Sequence, residues 1–198
     1  MMDGAVKEKL LAYLPAIEGH WDEVSPLVRV RRVPVKTTLL RDGEISDNLF
    51  IVIEGCLRLF FVKNDGSEYT SQFFFEGQLV TSLESFATRT PSRQYLETLE
   101  PSTVCAISAK NVETILGLHE DFRKWYFSYL KDRLIYYTRA HSSFILDSPE
   151  ERYLRLVKEY PFILQRVSQH YIASYLGVTP VSLSRIRARI KNRKLNKG

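Results

Sequence analysis

The 198-residue chain is poor in cysteine, with only Cys56 and Cys105. Both stand in strand-like apolar runs far apart in sequence. Two buried thiols are therefore expected rather than a disulfide framework, a thiolate cluster or a zinc site. Long apolar runs are missing as well. No stretch approaches the roughly 18 uninterrupted apolar residues of a spanning helix, and the N-terminus lacks the basic, apolar, small-residue order of a signal peptide. A cytoplasmic protein with no membrane partner is expected. The four histidines, His20, His119, His141 and His170, show no ligand spacing, and none falls between Leu27 and Ser108. A cupin-like barrel enzyme needs converging histidine and carboxylate ligands there, so no metal, no cofactor and no enzymatic activity are expected.

Acid is absent from one end of the chain. Residues 1–146 carry 17 Lys/Arg against 19 Asp/Glu, a net of −2, whereas residues 147–198 carry 11 against 4, a net of +7. Beyond Glu159 there is no Asp or Glu, while Arg185, Arg187, Arg189, Lys191, Arg193, Lys194 and Lys197 crowd the end. Taken alone, such a tail is either a solvated solubility device or the electrostatic footprint of a polyanion site. A ligand-binding or scaffolding protein that sets a basic helical tail on acidic partners is the alternative to nucleic-acid binding.

The periodicities divide the chain into an α+β arrangement. Val6 to Leu14 is an amphipathic helix stopped by Pro15. Short runs rich in β-branched and aromatic residues follow: Leu27–Val33, Thr37–Leu40, Asn48–Ile53, Cys56–Lys63, Tyr69–Phe75, Tyr95–Leu99 and Thr103–Ser108. Asn64-Asp65-Gly66, Glu54-Gly55 and Glu76-Gly77 supply tight turns between them. Many short strands at near-regular spacing imply an antiparallel, jelly-roll-like β-roll. From His119 to Leu146 the period lengthens, with Phe122, Trp125, Tyr126, Tyr129, Leu130, Arg133, Tyr136, Tyr137, Ala140 and Phe144 at three-to-four spacing. About 28 residues make a helix of about 40 Å, longer than a small domain needs. Its second apolar stripe calls for a partner helix from another subunit. The expected organisation is a β-roll with its N-terminal helix (1–118), a dimerisation helix (119–146) and an all-α helix-turn-helix domain (147–198).

In the last segment Ser148-Pro149-Glu150-Glu151 sets Ser at the N-cap, Pro at N1 and Glu at N3 of a helix carrying Tyr153, Leu156, Val157 and Tyr160. Ser168 then caps a helix with Ile172, Ala173 and Leu176 inward. Gly177 permits a tight turn, and Thr179-Pro180 starts a second helix bearing Leu183, Ile186 and Ile190. Val178 joins Leu183 and Ile186 in the wedge between the helices. On a helical wheel, Val181, Ser184, Arg185, Ala188 and Asn192 fall opposite the buried face. Arg185 suits a bidentate contact to guanine, and Val181 an apolar contact to a thymine methyl. Arg187, Arg189 and Lys191 suit phosphates, and Gln169, Thr179 and Ser182 complete the expected DNA-contacting set.

The order of roll, long helix, hinge and helix-turn-helix resembles the CRP/FNR family of bacterial regulators. The resemblance rests on Leu40-x-x-Gly43-Glu44, Asn48-Leu49-Phe50-Ile51-Val52-x-x-Gly55, Asp65-Gly66-Ser67-Glu68 and Glu76-Gly77-Gln78, with Phe144-Ile145-Leu146-Asp147 as hinge. It implies a homodimer that binds palindromic DNA near promoters, with RNA polymerase as a further partner, and an effector site in the roll at Gly77, Gln78, Leu79, Ser92, Arg93, Tyr136 and Tyr137. Departures from the family pattern bear on the ligand. Gly77-Gln78 replaces the Gly-Glu pair that holds a ribose, Pro91-Ser92-Arg93-Gln94 replaces the phosphate-binding Arg-Ser-Ala, and Tyr136-Tyr137 replaces Thr-Ser. Cyclic AMP is not expected; another small molecule, or no effector, stays open. Two cysteines are too few for an FNR-type iron–sulfur cluster. Pro180-Val181 stands in place of Arg-Glu at the recognition helix, so a different half-site is expected. A winged hairpin is expected to be missing, its role falling to the basic tail Arg193-Lys194-Leu195-Asn196-Lys197.

Overall fold

The computed structural model describes residues 2–195. Asp3 accepts the Ala5 amide at 3.2 Å and caps α1 (Gly4–Tyr13), which gives way to a 3₁₀ segment (Pro15–His20) and a single turn, α2 (Trp21–Val24). Val6 and Leu10 of α1 and the following Leu14 and Ile17 are buried, so this arm packs as expected.

The strands are β1 (Val28–Val33), β2 (Thr38–Leu40), β3 (Asn48–Glu54), β4 (Leu57–Val62), β5 (Glu68–Phe74) and β6 (Leu79–Val80), then, after helix α3 (Leu83–Thr88), β7 (Tyr95–Thr98) and β8 (Ser102–Ser108). They form two four-stranded sheets ordered β1-β8-β3-β6 and β2-β7-β4-β5, with antiparallel pairing in the expected roll. The unbroken apolar run of β3 follows from burial on both faces. Leu49, Ile51 and Ile53 share a core with Val6, Leu10, Val112 and Ile115, whereas Phe50 and Val52 share one with Leu57, Leu59, Phe74 and Leu96. A strand with one solvated face would alternate instead.

Gly55, between β3 and β4, has φ +108°, and a Cβ there would lie 2.8 Å from Ser102 Cα and 2.2 Å from Ser102 Oγ. Both the conformation and the close approach require glycine. At the tip of the β4–β5 hairpin, Gly66 has φ +79° and Asp65 accepts both the amide (2.9 Å) and the hydroxyl (2.6 Å) of Ser67. Those hydrogen bonds hold the Asp65 carboxyl below its ordinary value.

Ser108 accepts the Asn111 amide at 3.2 Å and caps α4 (Ala109–Leu118), a helix that the sequence reading did not separate from the strands before it. After His119 comes α5 (Glu120–Leu146), 27 residues long. Phe122, Trp125, Tyr126 and Tyr129 stack along one face of α5, with Phe122–Trp125 centroids 5.6 Å and Trp125–Tyr129 centroids 5.8 Å apart, against the core formed with α1 and α4. Another stripe stays exposed: Phe127 (67 %), Leu134 (68 %) and Ile145 (68 %). Their spacings bring all three within about 20° of one helical line. The remaining helices are α6 (Pro149–Glu159), α7 (Ile163–Arg166), α8 (Gln169–Leu176) and α9 (Pro180–Leu195).

The chain packs into two compact units, one of residues 1–61 with 72–134 and one of residues 62–71 with the chain from Ile135 onward. The division falls within α5, between Leu134 and Ile135. The hairpin tip packs with the C-terminal helices: the Ser174 hydroxyl of α8 donates to Glu68 O and accepts the Thr70 amide, both at 2.9 Å, and Tyr69 meets Phe144 edge-on at 5.7 Å. Burial, reinforced by Tyr175, pushes the Tyr69 hydroxyl up to about 12. Among the described residues no helix is long and apolar enough to cross a membrane.

Candidate nucleic-acid interface

The C-terminal helices are held by local chemistry. Ser148 and Glu151 form a complete capping box at α6: Glu151 N donates to Ser148 Oγ at 3.3 Å and Ser148 N to Glu151 Oε2 at 2.8 Å. Ser168 occupies the N-cap of α8 with ψ 148°, but its hydroxyl makes no capping hydrogen bond; its carbonyl accepts the Ile172 amide at 3.2 Å. The helix ends in a Schellman arrangement. Gly177, at φ +67°, donates to Ser174 O at 3.2 Å, and Val178 N donates to Ala173 O at 3.0 Å. Thr179 Oγ1 then accepts the Ser182 amide at 3.2 Å and donates to Ser182 Oγ at 3.0 Å, so both hydroxyls start α9 with Pro180 in its first turn.

Leu183 and Ile186 of α9 are buried with Ile172, Ala173 and Leu176, whereas Ile190 is only half-buried. Val181, Ser184, Arg185, Ala188 and Asn192 are all exposed, as is Gln169 at the start of α8. Arg185 and Lys191 are exposed and Arg187 half-buried, and none of the three has an ion pair among the described residues. Arg189, expected on phosphate, lies 3.6 Å from Glu150 of α6, and Arg193 lies 2.5 Å from the same carboxylate. Asn196 and Lys197 of the basic tail lie outside the described residues, as do the side chains of Lys194 and Leu195. An open groove of about 1040 Å³ separates the start of α6 from α9.

The residues expected to hold an effector are distributed differently. Gly77 and Gln78 close the β5–β6 turn: Gly77 N donates to Val52 O at 2.9 Å, Gln78 Oε1 accepts the Phe75 amide at 2.8 Å, and a Cβ on Gly77 would meet the Tyr13 ring at 3.0 Å. Leu79 is core, and its carbonyl accepts the Tyr129 hydroxyl at 3.2 Å. Ser92 is buried and donates to Ser82, not to Gln78, at 2.9 Å; Arg93 is exposed. Beside Ser82 in sequence lie further buried hydroxyls whose bonds sequence reasoning missed. Ser46 and Thr81 hydroxyls lie 2.8 Å apart, Ser46 N donates to Ser85 Oγ at 2.9 Å, and Ser85 Oγ donates to Thr90 O at 2.6 Å. The available signal was the Thr81-Ser82-x-x-Ser85 spacing at the start of α3.

Two further polar contacts join segments distant in sequence, which sequence reasoning did not reveal. Arg58 is 1 % exposed, stacks over Phe60 at 3.8 Å, and donates through Nε and Nη2 to Glu97 Oε1, each at 3.1 Å. Arg133 of α5 donates to Gln72 Oε1. Tyr136 and Tyr137 belong to the C-terminal unit. Tyr136 shares a hydrogen bond with Tyr175, and burial raises its pKa well above the ordinary value; Tyr137 is exposed, its ring edge-on to Tyr136 at 5.8 Å. His20 and His119, distant in sequence, stack at 4.0 Å. Cys56 and Cys105 are buried, and burial pushes the Cys105 thiol up to about 12.

Residues 30–119 match the family model of the cyclic nucleotide-binding domain. No curated protein resembles the sequence closely enough to count as a relative. Solved structures extend the likeness to both units. FixK2 from Bradyrhizobium japonicum matches with a TM-score of 0.73 at 15 % identity, over 84 % of this chain and 86 % of that one. CLP from Xanthomonas campestris, a c-di-GMP-responsive global regulator, matches with 0.69 at 20 % identity over 98 % and 94 %. CooA from Carboxydothermus hydrogenoformans matches with 0.70 at 17 % identity over 86 % and 79 %. The fold is that of the CRP/FNR transcription regulators, a roll, a long helix and C-terminal helices.

Proposed function

We propose that the protein is a homodimeric, sequence-specific DNA-binding transcription regulator and not an enzyme, with an effector other than cyclic AMP or none. The observation that carries the reading is the second helix of the helix-turn-helix: fixed at its start by Gly177 and Thr179, it turns Val181, Ser184, Arg185, Ala188 and Asn192 to solvent at the end of the chain with net charge +7. Arg185 is the base-reading cation, while Arg187 and Lys191 position the helix on phosphates. The exposed Phe127, Leu134 and Ile145 stripe of α5 supports pairing with a second copy. Two copies would present two recognition helices, RNA polymerase being the partner of a promoter-bound dimer. Selection from random duplexes is expected to enrich a two-fold-related site with half-sites about 34 Å apart. Recovery of no enriched sequence, or of one without two-fold symmetry, would refute the reading.

A further inference from the structure

The sheltered acid beside the recognition helix has a role that its neighbours define. Glu150 is the second residue of α6, and its side chain is 18 % exposed, unlike the more open Arg189 (61 %) and Arg193 (69 %) that meet it. One carboxylate oxygen takes Arg193 Nη1 and the other faces Arg189 Nη2, so a single acid spans consecutive turns of α9. Arg185, one turn earlier, lines the same groove as Glu150 but has no ion pair among the described residues. The groove thus presents one cation open to a base edge and two whose charge is already half-answered.

We propose that Glu150 sets the sequence-independent part of the DNA affinity while touching no base: it holds Arg189 and Arg193 where a backbone phosphate would otherwise claim them. The inference rests on the DNA-binding reading above. Non-specific affinity comes from phosphate contacts and grows with each cation that releases a counterion. An internal carboxylate competes for the same guanidinium N–H groups, so it weakens binding to every sequence. Contacts to base edges by Arg185 are left intact and make up a larger share of the binding free energy at the right site.

The test measures binding of the full chain to a fluorescent random-sequence duplex over a series of potassium chloride concentrations. E150Q is expected to bind more tightly, with a plot of log K against log salt steeper by about 1 to 2. E150D, which keeps the charge at the start of α6 but draws the carboxylate back, is expected to shift in the same direction by less. In an R189Q/R193Q background, E150Q is expected to leave the slope unchanged. Unchanged slopes in both Glu150 variants with duplex binding intact, or a steeper slope that persists without the two arginines, would overturn the inference and leave the DNA-binding reading standing. A wild-type chain that binds no duplex would overturn both.

Discussion

Replacing Phe127 by alanine is expected to weaken self-association about a hundredfold while leaving each subunit folded. The side chain is 67 % exposed on α5, on one line with Leu134 and Ile145, and on a different face from the Phe122, Trp125 and Tyr129 stack. Full burial of an apolar side chain of this size is worth about 1.5–3 kcal/mol, and roughly two-thirds of it remains to be gained on pairing. Two-fold symmetry counts the loss twice, giving about 3 kcal/mol, which is about two powers of ten in the dimer dissociation constant. The subunit's own stability is expected to change by no more than about 0.5 kcal/mol, because the ring contributes little to its core. Sedimentation equilibrium over a dilution series reads the first quantity and far-UV melting of diluted protein the second. A dissociation constant within threefold of wild type would refute the assignment of this stripe to the interface.

Other consequences follow from single residues. Gly55→Ala combines a positive φ with a Cβ 2.8 Å from Ser102 Cα, and is expected to cost about 3 kcal/mol in urea unfolding. Arg185→Ala is expected to relax base preference at one half-site position by about 1–3 kcal/mol in competition binding, whereas Lys191→Ala is expected to weaken all duplexes alike. Cys105 and Tyr69 both keep their protons longer in the folded chain than in the unfolded one, each up to about 12. Their stabilising effect is full below the unfolded values and is lost as pH rises toward 12. Cys105→Val is expected to flatten the thiol's share of that loss in pH-dependent unfolding; an unchanged alkaline limb would contradict the burial argument.

What was legible in the sequence was what is local. Ser148 with Glu151, Thr179 with Pro180, and Gly177 each determine a boundary within a few residues, through capping hydrogen bonds or a positive φ, and each appears in the structure as read. The exposed face of α9 was legible for the same reason, since helical period alone separates Leu183 and Ile186 from Val181 and Arg185. Contacts across the sheet or between distant segments were not. Arg58 and Glu97 meet only because β4 and β7 pair in that register, and Ser174 finds Glu68 and Thr70 from more than a hundred residues away. The short β6 offered too few residues for alternation. With no alternation to mark that strand, nothing local brings Ser82 opposite Ser92 beyond the Gly77 turn. Glu150 stands in the first turn of α6, and nothing local reveals that two arginines about forty residues on share it.

The hydroxyl network in the roll bears on the effector through charge. If a cyclic nucleotide set its phosphodiester anion beside Ser82 and Ser92, the anion would meet buried hydroxyls bonded to one another. Four arginines of the same unit are engaged or exposed: Arg58 is held by Glu97, Arg133 donates to Gln72, Arg89 binds Ser46 O and Asp47, and Arg93 is exposed. A buried charge without a counter-ion costs several kcal/mol, a large share of the roughly 8 kcal/mol of a micromolar ligand, so weak or no binding of the anion is expected. A neutral ligand could exchange hydrogen bonds with the same serines without that cost. The expectation is that cyclic AMP leaves the melting temperature unchanged. Binding at a thousandfold excess over its dissociation constant would add about 4 kcal/mol and raise the melting temperature by several degrees. A saturable rise of that size would refute the charge argument. Its abolition by Arg93→Ala would further require that exposed side chain to turn into the roll and supply the missing cation.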